Sequence, residues 1–176
     1  RIMANKSGAG SDGNYGTDGN WSPSGVPSTG DHVRIPASST QSITSGLDQS
    51  AVAIGDFIVE EGYIGEIGTA AGYLQIDPDR FEFNGSGQAY IDIGSAAIDV
   101  QVLGTATAAS GERGLYLKGS AIDELAILGG NVGVAAIHGE TATVTTCRVT
   151  GSSADVWLGA GMTLSLIHIS EPTRLL

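Results

Sequence analysis

The chain has 176 residues, enough for one domain with a sizeable core, and its 27 glycines stand against 3 phenylalanines and 2 tryptophans. Its 19 Asp+Glu outweigh 8 Lys+Arg for a formal net charge of -11, which excludes the basic stripe that a nucleic-acid partner requires. No apolar run is long enough to cross a membrane, and the single cysteine, Cys147, excludes an internal disulfide.

In chain order, residues 1–20 come first. Arg1 and Ile2 read as upstream read-through, with Met3 as the expected initiator. Ala4 to Asn20 lacks the apolar core of a signal peptide. Gly, Ser, Asn and Asp dominate this stretch, so it is expected to be a flexible arm with too little apolar area to offset ordering. Asp12, Asn14, Asp18 and Asn20 suggest calcium superficially. A twelve-residue calcium loop counted from Asp12 would need glutamate where Pro23 stands, so no metal is expected.

Residues 21–41 read as a cap. Pro27 sets an extended approach, Gly30-Asp31 a tight turn, and Val33 and Ile35 point the same way from a strand. Trp21 would cover the open end of the first coil, protecting the sheet edge. His32 has no second histidine nearby in sequence, so zinc is not expected.

Residues 42–163 are a succession of short apolar strands. Candidates lie at 42–43, 52–59, 63–67, 73–76, 81–83, 90–93 and 98–102, between turns such as 46–48, 77–79 and 84–87. Alternation is period two and never sustained at 3.6, so no long helix is expected. Ile64/Ile67, Leu74/Ile76, Phe81/Phe83 and Ile91/Ile93 are candidate stacking pairs. Gly119, Gly139 and Gly159 recur at a spacing of twenty and close strands at 115–117, 134–137 and 156–158. A second set lies between them, at 125–127 and 144–149. Two strands per winding with a period in the low twenties is the pattern of stacked coils. The fold class expected is all-β, a right-handed parallel β-helix or β-solenoid. Cys147 falls in an apolar strand and reads as a small buried hydrophobe.

Trp21, Gly25, Pro27, Gly30, Asp31, Val33 and Ile35 together resemble the entry segment of phage and bacterial surface β-helix proteins. Residues 45–163 resemble uncharacterised phage and prophage proteins, through 46–50, 65–68, Tyr73-Leu74, Lys118-Gly119 and 139–142. Those proteins imply no assigned reaction. Residues 164–176 resemble the translation of a sequencing-library adapter and are set aside as an artefactual tail, with His168 and Glu171 carrying no functional argument.

Candidate chemistry is sparse. Ala96-Ala97-Ile98-Asp99 and Ser120-Ala121-Ile122-Asp123 repeat twenty-four apart, which would align Asp99 with Asp123 on neighbouring coils. Lys118 and His138 are one twenty-residue step apart. These four are the weak catalytic candidates, since polysaccharide-cleaving sites need carboxylates and a base facing one groove. Polar exterior positions are the plainer reading. Glu60-Glu61 and the acids at 77–82 read as solvated turns. Tyr63, Tyr73, Tyr90, Tyr116 and Trp157 could supply sugar-stacking platforms.

The leading expectation is therefore a non-enzymatic phage virion or surface structural protein, a rigid solenoid of a tail, fibre or decoration, assembled in the host cytoplasm without a cofactor. Its expected partners are other virion or surface proteins, with a host-surface glycan and self-association open. The alternatives are a polysaccharide-binding or depolymerising, tailspike-like β-helix and a secreted bacterial adhesin.

Overall fold

A computed structural model describes residues 3–6, 12–94, 99–106, 111–137 and 139–170. Its strands are β1 (Met3–Lys6), β2 (Trp21–Ser22), β3 (His32–Ile35), β4 (Asp48–Val59), β5 (Leu74–Phe83), β6 (Ala89–Ile93), β7 (Asp99–Val102), β8 (Leu115–Ile127), β9 (Gly130–Val134), β10 (Ala142–Val149), β11 (Ala154–Leu158) and β12 (Met162–Ile169). All strand pairings are parallel except β1 with β2. The chain winds about 5 turns of stacked coils, a β-solenoid.

Each winding contributes to two ladders, and the long strands serve both. Leu74, Gln75 and Ile76 of β5 pair with β6, whereas its 80–83 stretch pairs with β7. Likewise 115–119 of β8 pairs with β6, and 124–127 with β7. The first ladder stacks Leu74, Ile91, Leu117, Val134 and Leu158. The second stacks Val33, Phe57, Phe81, Val100, Leu125, Cys147 and Ile167, beside Ile35, Val59, Phe83, Val102, Ile127, Val149 and Ile169. Alternation turns these side chains inward, and from Val33 to Cys147 they are buried. Phe57 and Phe81 stack at 5.9 Å, and Phe81 and Phe83 at 6.3 Å, so the core is an aromatic pile at one end and aliphatic further along.

Several expectations shift. Asp77, Pro78 and Asp79 are not a turn between two strands. They lie within β5, where Pro78 pairs with Ile54. The strand expected at 134–137 ends at Val134, because Ala135 takes a positive φ of 48° and turns the chain. The twenty-residue glycine recurrence is not the coil register: Gly119 lies between Ile93 and Ala142. Ile64 is exposed rather than stacked with Ile67.

The expected flexible arm is also revised where it is described. β1 pairs with β2 and β3. At 12–20, Asn20 is fully buried and its Nδ2 donates to Asp12 Oδ1 (2.7 Å) and to the Asn14 carbonyl (2.6 Å). Tyr15 N–H donates to the Ser45 carbonyl (3.0 Å), and the Tyr15 ring meets Trp21 edge-on at 4.7 Å. Trp21 Nε1 donates to the Tyr15 carbonyl (2.7 Å). Composition undercounts such a segment, because backbone and asparagine hydrogen bonds onto an existing coil order it with little apolar area. Gly46 opposite Asn14 leaves no room for a Cβ.

Residues 162–169, whose second part was set aside as tail, continue the ladder as β12. Leu164, Ile167 and Ile169 fall on Val144, Cys147 and Val149. Leu166, Ile167 and Ile169 are exposed there.

Phe81→Ala should destabilise the chain by about 3–5 kcal/mol, the usual cost of emptying an aromatic core position, whereas Asp99→Asn should stay within about 0.5 kcal/mol. Urea unfolding followed by circular dichroism measures both. Cys147 is buried, and desolvation raises its thiol pKa. The folded protein should therefore be inert to a thiol reagent at pH 8, with one equivalent reacting after denaturation.

Candidate functional site

The outward rows of the two ladders carry the candidates Asp99 and Lys118. On the second ladder, Asp56, Arg80, Asp99 and Glu124 fall in register. Hydrogen bonds and ion pairs stitch this surface together: His32 Nδ1 lies 2.6 Å from Asp56 Oδ2, and Arg148 lies 3.2 Å from Glu124. Arg34 pairs with Glu60, and Arg80 with Glu82. Glu60 and Glu82, expected as solvated turn acids, thus hold guanidinium partners.

Asp99 and Asp123 do not align. The pairing of β7 with β8 sets Asp99 against Glu124, one position beyond the partner the sequence repeat implies. Both aspartates are exposed. Lys118 sits apart from them, in the stretch of β8 that pairs with β6, where its partner is Asp92. His138 lies outside the described residues. The three described candidates, Asp99, Asp123 and Lys118, therefore do not form a constellation. Among the described residues, no group of three or more His, Cys, Asp or Glu could hold a metal ion.

On the first ladder, Gln75, Asp92 and Lys118 form one outward row, and Tyr90, Tyr116, Gly133 and Trp157 another. Tyr90 and Tyr116 stack at 4.7 Å with planes 2° apart, and Tyr73 meets Tyr90 edge-on at 5.4 Å. Lys118 Nζ lies 4.5 Å above the Tyr73 ring and 3.4 Å from Asp92 Oδ2.

The row breaks at Gly133, and Arg113 fills the gap. A Cβ on Gly133 would come within 3.1 Å of Arg113 Cγ and 2.7 Å of Ala136 Cβ. The guanidinium lies 4.7 Å over the Trp157 ring and 3.6 Å from Asp155, while the Arg113 N–H donates to the Tyr116 hydroxyl (3.1 Å). Tyr63 is buried and its hydroxyl donates to the Gln41 carbonyl (2.7 Å). The aromatic residues expected as stacking platforms are thus already engaged, by one another, by a cation or by the core.

One accessible groove lies beside Lys118. Two adjoining depressions of about 540 and 400 Å3 share Lys118, Gly139 and Glu140. Tyr73 forms part of the lining and is almost wholly buried. Its hydroxyl makes no hydrogen bond of regular geometry. Burial raises its pKa first, and the nearby Glu140 carboxylate adds to the rise. Asp48, at the rim, has its pKa lowered by the Ser50 hydroxyl (2.7 Å) and then by the Ser50 N–H.

Sequence reading singled out Lys118 but missed Gln75, Asp92 and Glu140 as its neighbours. A signal was present. Tyr90-Ile91-Asp92-Ile93-Gly94 and Tyr116-Leu117-Lys118-Gly119-Ser120 share an alternation that points Tyr90, Asp92, Tyr116 and Lys118 outward. Superposing them pairs the tyrosines and sets the aspartate beside the lysine. No protein-family model, no curated protein and no solved structure matches this chain.

Burial is the first cause of raised pKa values at Tyr15, Tyr63, Tyr73 and Tyr90. Folded values above the unfolded one mean that their contribution to stability is complete below about pH 10 and is lost as pH rises toward the folded values. The urea midpoint should accordingly fall as pH rises above about 10, a loss that urea titrations followed by circular dichroism at several pH values measure.

Proposed function

We propose that this chain is a non-catalytic structural part of a virion or surface appendage, a stiff segment of a tail, fibre or decoration. The observation that carries this reading is the register: inward columns run without interruption from Val33 to Cys147. Backbone hydrogen bonds join every winding to the next, so bending would break many of them together. The exterior supports the same reading. Its carboxylates are spread along paired rows, and among the described residues Asp99 and Asp123 do not converge with Lys118. The resemblance of residues 21–35 to phage and bacterial surface β-helix proteins, and of residues 45–163 to phage and prophage proteins, agrees with a virion or surface setting, where the partners would be other structural proteins.

Purified protein incubated with a panel of neutral and acidic polysaccharides should release no reducing or unsaturated ends above a heat-denatured control. Release from any of them would reverse the reading in favour of a depolymerase. The coding sequence should also lie among capsid and tail genes, and placement among export genes would favour an adhesin.

A further inference from the structure

A solenoid wall is smooth where one winding lies directly on the next, and two excursions break it beside Lys118. One is the turn at 68–73, closed by reciprocal backbone bonds between Thr69 and Gly72 (2.8 and 3.1 Å). The other holds Gly139 and Glu140. There the Glu140 N–H donates to the Ile137 carbonyl (3.1 Å), and Glu140 Oε2 accepts from the Ile137 N–H (3.0 Å). Both excursions line the groove. The row Gln75, Asp92 and Lys118 runs through it, one residue per winding.

We propose that this groove binds an uncharged glycan chain. The inference rests on the non-catalytic reading above, in that the groove holds its ligand without cleaving it. Three carboxylates, Asp48, Asp92 and Glu140, face one ammonium, on a chain of net charge -11. That field repels uronates, sulfates and phosphates.

A basic peptide fits less well, because each carboxylate already has an internal partner. Asp48 accepts from Ser50, Asp92 pairs with Lys118, and Glu140 accepts from the Ile137 N–H. The Lys118 ammonium beside Asp92 repels a second cation there. Hydroxyl donors meet no such repulsion and can use the acceptor positions these partners leave open, since an ionised carboxylate has about four. Leu47, Ala71 and Ile137 add apolar lining suited to the C–H faces of sugar rings. Hydroxyl donors joined to apolar ring faces, without charge, are the chemistry this lining complements.

Isothermal titration calorimetry of the full chain tests the proposal, using four neutral series (gluco-, manno-, galacto- and N-acetylglucosamine oligomers), oligogalacturonate and oligolysine. Saturable binding is expected for at least one neutral series, with none for oligogalacturonate. Gln75→Ala and Glu140→Ala, each confirmed as folded by circular dichroism, should weaken it about tenfold, and Asp99→Asn on the other outward row by less than about twofold. Absence of binding to every neutral series, tighter binding of oligogalacturonate or oligolysine, or an equal loss in Asp99→Asn overturns the assignment. Cleavage of a bound neutral glycan would overturn the non-catalytic reading while leaving the groove assignment intact.

Discussion

Parallel hydrogen bonding between windings is the constraint from which the rest of this molecule follows. Each backbone amide engaged by the winding below fixes the register of its own winding, and a slip of one residue would turn every inward side chain out. Identical inward positions are therefore held one above another at the spacing of hydrogen-bonded strands, about 4.8 Å. Val33, Phe57, Phe81, Val100, Leu125 and Cys147 are neighbours for this reason alone, although they are widely spaced in the chain. No single winding could bury them.

The same constraint governs the exterior. Outward side chains also fall into rows, so charge and aromaticity on one winding must be compatible with those on the next. His32 beside Asp56, Glu124 beside Arg148, and Tyr90 on Tyr116 are pairings of that kind. Gly133 shows how an irregularity is absorbed. The winding without a side chain in the tyrosine row is bridged by Arg113, which reaches Trp157 two windings from Tyr116. A regular wall has little concavity, and the groove beside Lys118 exists because two turns project from it. Such departures from the repeat are where recognition can be built, since they change the surface without disturbing the columns.

Legibility differed between the two sides of the wall. Inward pairs such as Leu74/Ile76 and Ile91/Ile93 were readable, because apolar alternation needs no knowledge of register to show which residues face the core. The outward neighbours were harder. The local repeat matches Asp99 to Asp123, yet the pairing of β7 with β8 makes Glu124 the partner. The arm was misread for a related reason. Composition measures the apolar area a segment brings, whereas Asp12, Asn14 and Asn20 are ordered by hydrogen bonds whose partners the fold supplies.

By itself, then, the order of residues determined the all-β class, the two strands per winding and the inward identity of most apolar positions. Those properties follow from alternation and turn chemistry within a few residues. Tertiary structure alone decided which windings face each other, that Lys118 meets Asp92 and Tyr73, and that Arg113 occupies the place left by Gly133. Those relations depend on register between segments some twenty residues apart, which a single bulge can change and no local pattern records.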